Sequence, residues 1–282
     1  MIEVEVFYIV TAALFLIYPE ASAFSADIAC KALKSVVIRS LFPMMVLTRL
    51  IAHSKSADFL SRLLSKRRIW KRLNLSDELL PVVLGGLISG IPSSSREIAS
   101  LLNEGRINGE EAKKALALSS LPSPAFVILV ASDGIGEGVM RFLLMLFCAY
   151  FGVLCFRSKK STGGGEVRKM SFTAALSSST LSALSVSASI VFFSAVTCLV
   201  SSVLPHFRQV SAIFFEMGSG VIFADGNGIL ISAALGWCGL SAMAQIRSEA
   251  PDVSLKPHVL SRLMTVATLI LAEILQKTDI FS

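Results

Sequence analysis

Apolar residues gather into strongly hydrophobic segments near 6–18, 40–52, 79–91, 115–131, 139–156, 186–204, 228–246 and 258–276, with short polar or charged stretches between them. A bilayer crossing needs about 20 helical residues, whereas about 12 reach only the middle of the hydrocarbon. The segments therefore sort by length into crossings and half-crossings.

The clearest half-crossings lie between Arg72 and the polar loop NEGRINGEEAKK (103–114), where the apolar run is interrupted at Gly90-Ile91-Pro92. Two arms of about 12 residues each rise about 18 Å at 1.5 Å per residue. This predicts a re-entrant hairpin over 79–104 that turns at mid-membrane and leaves on the side it entered. Segment 115–131 then crosses outward, SDGIGEG (132–138) turns, and 139–156 returns to the basic loop RSKKSTGGGEVRK (157–169). The run Gly163-Gly164-Gly165 in that loop reads as a flexible joint between two halves.

The second half repeats the plan. SFTAALSSSTLSALS (171–185) reads as an interfacial segment, like FSADIACKALKSVVIR (24–39), and is followed by a helix running to Leu204-Pro205. Residues 228–252 hold two short apolar arms meeting at Gly236-Trp237-Cys238-Gly239-Leu240-Ser241. They predict a second hairpin, 228–247, entering from the opposite side. The expected fold is all-α and polytopic: about six transmembrane helices plus two re-entrant helical hairpins in an inverted repeat. The repeats are 1–156 and 172–282, joined by a basic cytoplasmic linker, 157–171. Such repeats commonly move solutes by alternating access around a midplane site. Lys31, Lys34 and Arg39 fall outside in this scheme, against the usual charge bias, unless 24–39 lies in the interface with its basic side chains snorkelling. VFYIVTAALFLIYP followed by Ala21-Ser22-Ala23 resembles a signal-peptidase site. Glu3 and Glu5 precede it without Lys or Arg, so it is expected to be a retained first helix.

Composition supports the bilayer. Of 282 residues, 54% are hydrophobic and 16% charged, against about 25% charged in an ordinary soluble domain. The formal charge of +6 does not point to nucleic acid. The basic residues concentrate beside apolar segments (Arg62, Lys66, Arg67, Arg68, Lys71 and Arg72; then Arg157, Lys159, Lys160, Arg168 and Lys169), as the positive-inside bias requires. That places the chain in a membrane as a multi-pass protein with the bilayer as partner; the pattern permits a homo-oligomer. Five scattered Cys without a C-x-x-C pair and three isolated His offer neither a disulfide framework nor a metal site. With no catalytic constellation and no dinucleotide fingerprint, neither an enzyme nor a cofactor is expected.

The candidate site residues cluster at the interruptions. Ser93, Ser94 and Ser95 follow Pro92, where a half-helix N-terminus offers free backbone donors. Arg96 lies in the first turn after the break, and an intramembrane Arg calls for a carboxylate or anionic solute. Counted from each break, Gln245 takes the place of Arg96, with Ser241 beside it. Arg49 and Glu216 occupy comparable places in the two halves, where they either pair across the pseudo-two-fold or each face a cavity. Arg262 and Glu273 are further ionisable groups in the last helix, Glu273 near enough to its end to be interfacial.

Several of these pieces resemble a known family. SLFPMMVLTRLIA, GGLISGIPSSSREIASLLNEGRINGEEAKKALALSSLPSPAFVIL, FFEMGSGV, and LGWCGLSAMAQI with LKPHVLSRL are similar, in order and spacing, to the nucleoside-recognition (gate) domain of bacterial membrane proteins. The likeness is to sporulation integral membrane proteins of the YlbJ type in particular. That family tends to show G-x-P-x-G-A-K where this chain has Gly90-Ile91-Pro92-Ser93-Ser94-Ser95-Arg96. It favours amide-bearing residues where this chain reads Ser119-Ser120-Leu121-Pro122-Ser123-Pro124, and an acidic residue at Arg49. The resemblance implies a transporter or gate in the inner or forespore membrane, associated with moving dipicolinic acid. The leading expectation is thus a secondary-type transporter of a small polar or anionic solute, bound by Ser93, Ser94, Ser95, Arg96, Glu216, Ser241, Gln245 and Arg262. The alternatives are a nucleoside-type transporter and a non-transporting sporulation scaffold.

Overall fold

The computed structural model describes residues 2–20, 33–161 and 170–278, with 23, 27, 29 and 30 between the first two stretches. The Gly163-Gly164-Gly165 joint, Lys31 and the Ala21-Ser22-Ala23 cleavage motif lie wholly or partly outside the described residues. Every regular element described is helical. Helix α1 spans Ile2–Ile17. A π-helical run, Leu33–Leu41, continues directly into α2, Phe42–Ala52. Short helices α3 (Lys55–Leu64) and α4 (Arg68–Leu73) carry the first basic segment. Then come α5 (Leu79–Ser89), α6 (Ser95–Asn103), α7 (Gly109–Ser119), α8 (Pro124–Leu129) and α9 (Ile135–Leu154). The second half holds α10 (Phe172–Val203), α11 (Arg208–Phe215), α12 (Met217–Phe223), α13 (Gly228–Trp237), α14 (Gly239–Glu249) and α15 (Lys256–Lys277).

Among the described residues, four runs are long and apolar enough to cross a membrane: Ile135–Leu154, Phe172–Val203, Gly228–Glu249 and Lys256–Lys277. The chain is that of a membrane-embedded helical protein. Two expectations change. Residues 171–185 are not a separate interfacial segment but the first turns of the 32-residue α10. Their hydroxyls fit a helix because several bond to carbonyls one turn back, as Thr180 does to Leu176 and Ser187 to Ala183, while Ser179 and Ser182 are buried. Segment 115–131, expected as one crossing, is interrupted between α7 and α8, where Pro122 and Pro124 cannot continue a helix.

Two pairs of short helices fold back on themselves. At the base of α5–α6, Arg106 Nε lies 2.9 Å from Glu78 Oε2, so the start of one arm meets the end of the other. At the base of α11–α12, Gln209 Nε2 donates to Phe223 O at 3.2 Å, and the Arg208 guanidinium sits 4.1 Å above the Phe223 ring. A side chain at Gly220 would meet Ile213 Cα at 3.0 Å, so only glycine lets these arms approach so closely. The second fold-back is therefore 208–223, not the expected 228–247. The latter is an interrupted run whose two parts together have the length of a crossing.

Helices α9 and α15 are antiparallel: Gly152 packs on Ser261 while Arg141 pairs with Glu273. Glu273 is thus not an interfacial end group. It is buried, accepting from Arg141 and, at 3.3 Å, from Ser232. At the other end, buried Glu111 accepts from Ser76 N at 2.7 Å, Ser76 Oγ at 2.6 Å, Asn108 N at 3.2 Å and Ser161 N at 3.2 Å. One carboxylate thereby ties α7, the loop before α5 and the start of the linker. Glu111→Ala would strand these donors and is expected to cost about 3 kcal/mol. The check is a lowered melting temperature in detergent micelles, with Glu111→Gln falling less because it keeps an acceptor.

Candidate functional site

Each half contains a fold-back tip docked against a helix interruption. In the first half, Gly90 (φ +81) ends α5 and a cis Ile91-Pro92 bond follows. Ile91 N donates to Leu121 O at 3.1 Å, and a side chain at Gly90 would meet Ser123 N at 2.8 Å. The tip therefore presses its backbone on the gap between α7 and α8. Ser123 begins α8 as its N-cap, accepting from Phe126 N at 3.2 Å.

In the second half the tip is Glu216, extended (φ −147) between α11 and α12. Its carboxylate caps α12, accepting from Gly218 N at 2.9 Å and Ser219 N at 2.6 Å. An anion is favoured at that helix end, and the cap satisfies two orphan donors. The tip lies on the gap between α13 and α14, where Cys238 and Gly239 both have positive φ. A side chain at Gly239 would meet Glu216 Cα and Met217 N at 3.0 Å. Trp237 Nε1, donating to Phe214 O at 3.1 Å, fixes the arrangement.

All four interruptions open on one cavity of about 90 Å³. Its polar lining is Ser123, Glu216, Ser241 and Gln245, and Leu41, Phe126, Val186 and Met217 contribute to its apolar wall. Gln245 Nε2 donates to Ser241 Oγ at 3.0 Å, leaving its amide oxygen without a bonded side chain. Glu216, buried and forming no ion pair among the described residues, is the carboxylate that lines the space.

Of the residues expected to bind solute, the structure thus brings Glu216, Ser241 and Gln245 together. The three serines do not line this cavity. Ser93 Oγ touches Ser89 Oγ and donates to Gly90 O at 2.7 Å, and Ser94 Oγ lies 2.7 Å from Ser119 Oγ. Buried Ser95 has no hydroxyl partner. They hold the tip compact where Gly86 leaves no room for a side chain beside Ser94 and Ser119.

Arg96 also lies outside the lining, its Nε pairing with Glu249 and its Nη1 reaching Ser178 O at 3.5 Å. Arg49 does not pair with Glu216. It lies 3.4 Å from Glu97 and donates to Ser179 at 3.2 Å and Ser182 at 2.9 Å. Arg262, fully buried on α15, stands behind the cavity wall: Nη1 approaches Cys238 Sγ at 3.8 Å, while Nε and Nη2 have no partner. Both ring nitrogens of buried His258, one turn earlier, are likewise unbonded.

Ser123 and Phe126 were not among the expected site residues. The signal for them was the doubled proline of Ser119-Ser120-Leu121-Pro122-Ser123-Pro124, which breaks a helix as surely as Gly90-Ile91-Pro92 does. Among the described residues, no group of three or more His, Cys, Asp or Glu is placed to hold a metal ion. Comparison with protein families, with curated proteins and with solved structures finds no match.

Proposed function

We propose that the protein is a membrane transporter of the secondary type, carrying a small polar or anionic solute through the cavity between the four interruptions. The observation that carries this reading is the convergence itself. Two tips and two broken helices, one of each from either half, expose their ends to one cavity. Non-helical backbone is tolerated within a membrane where it lines a cavity or is buried in protein, and broken helices at a repeat interface are a recurrent way to build a solute site.

The proposed architecture is an inverted repeat with six crossings and two re-entrant hairpins. The crossings are 33–52, 109–129, α9, α10, 228–249 and α15; the hairpins are α5–α6 and α11–α12. In each unit a crossing is followed by a hairpin, an interrupted crossing and an unbroken helix. The antiparallel pairing of α9 with α15 supports units of opposite orientation. Both basic segments then fall on one face, which the positive-inside bias makes cytoplasmic. Glu216, Ser241, Gln245 and Ser123 would hold polar groups of the solute, Phe126 and Met217 its apolar body, and Arg262 would supply positive potential through the thin wall at Cys238. The likeness of the hairpin blocks to gate-domain proteins supports dipicolinate and nucleosides as first members of a solute panel.

The test is a thermal-shift screen of that panel on purified protein, followed by flux into proteoliposomes. Glu216→Gln and Gln245→Leu are expected to lower flux at least about tenfold, equivalent to about 1.4 kcal/mol, with a lowered melting temperature for Glu216→Gln, which keeps only one of the two acceptors that cap α12. A purified, folded protein that moves no member of a broad panel would favour the scaffold reading.

A further inference from the structure

Four elements that line the cavity also carry, one to two turns further along, a second cluster of polar and charged side chains. Along 33–52, Val37 and Leu41 face the cavity, and Arg49 and His53 follow toward the basic helices α3 and α4. On α14, Ser241, Ala242 and Gln245 line the space, and Glu249 is the next residue on that face. Ile91 at the first tip is followed by Arg96 and Glu97, and Val186 on α10 is preceded, toward the linker, by Ser182, Ser179 and Ser178. All four displacements run in one direction, from the cavity toward the face with the basic segments.

The cluster also joins the two halves. Arg96 on α6 pairs with Glu249 on α14, whose side chain is 2% exposed. Its neighbour Glu97 pairs with Arg49 at 3.4 Å and with His53 at 3.4 Å, and Arg49 in turn donates to α10. The Arg96 side chain is 35% exposed, but those of Glu249 and Arg49 are each 2% exposed, so parting either pair without water would leave a buried carboxylate or guanidinium uncompensated. The charges therefore separate where water enters between the halves.

We propose that Arg96–Glu249 and Arg49–Glu97 are the closed gate between the cavity and the basic-segment face, separating when the cavity opens on that side. This rests on the transport reading, but its test needs neither a solute nor flux. Cys238 lines the cavity and is 1% exposed, so it reports entry. With Cys30, Cys148, Cys155 and Cys198 replaced by Ala, Cys238 is alkylated by a membrane-impermeant maleimide applied to the basic-segment face in everted vesicles.

Arg96→Ala and the near-isosteric Glu249→Gln are each expected to accelerate labelling about tenfold from that face. The exchanged pair Arg96→Glu with Glu249→Arg should return the rate toward that of the unsubstituted gate. Rates within about twofold of the parent in both single variants, or equal acceleration from both faces, would overturn the gate. A rate unrestored by the exchange would overturn pairing as its cause. Flux that fails while labelling behaves as expected would count against transport and leave the gate standing.

Discussion

Gly236→Ala is expected to abolish accumulation of folded protein. Gly236 is where α13 crosses α15, and a methyl group there would sit 2.7 Å from both Val266 N and Val266 Cα. These are backbone atoms of a 22-residue helix, so no rotamer change relieves the contact. Either α15 shifts, carrying Arg262 and the Arg141–Glu273 pair with it, or α13 retreats and the cavity loses its wall at Cys238. Overpacking a dense core costs about 1–3 kcal/mol even where side chains can yield, and here the cost falls at the upper end or beyond. Gly136→Ala is the control, because open space surrounds that position and Ala is the better helix former. Size-exclusion profiles of a fluorescent fusion should show a monodisperse peak for Gly136→Ala and loss of it for Gly236→Ala.

Arg262→Met is expected to raise the melting temperature while removing solute flux. The guanidinium is fully buried, two of its three nitrogens are without a partner, and among the described residues no carboxylate pairs with it. Among the described residues, its hydrogen-bonding contact is the soft thiol of Cys238. Replacing buried charge by a shape-matched apolar side chain is often stabilising by about 1–4 kcal/mol. In the proposed transport reading, an anionic group of the solute entering beside Cys238 would supply the missing counter-charge. Melting curves and flux on the same preparation decide the matter. Lower stability in Arg262→Met would mean the charge is compensated within the fold, and undiminished flux would remove it from the transport site.

Much of the helical framework was legible because its causes are local. Arm length and the Gly90-Ile91-Pro92 break defined the first hairpin, and long apolar runs defined α9 and α15. The second hairpin was misplaced for a physical reason. Gly236-Trp237-Cys238-Gly239 breaks a helix as visibly as any tip, but a break does not reveal whether the chain turns back or continues. That is decided by tertiary contacts, here Gln209 with Phe223 and Gly239 against Glu216. Glu216 was legible as an unusual acid in an apolar run, Ser241 and Gln245 by their offset from a break. Arg96 was conspicuous as a charge within an apolar block that needs a partner. Its partner, Glu249, lies 153 residues away, a distance no local pattern spans.

Filling the space between the four breaks tests most directly whether it is the solute's path. Ala242 lines the cavity on α14, between Ser241 and the turn that carries Gln245. Ala242→Phe places a ring in the opening without altering any hydrogen bond or ion pair described above. For a solute that the unsubstituted protein accumulates in proteoliposomes, uptake by Ala242→Phe should fall to the level of empty liposomes while the variant still runs as a monodisperse, folded protein. Uptake at the unsubstituted rate by that folded variant would contradict the account.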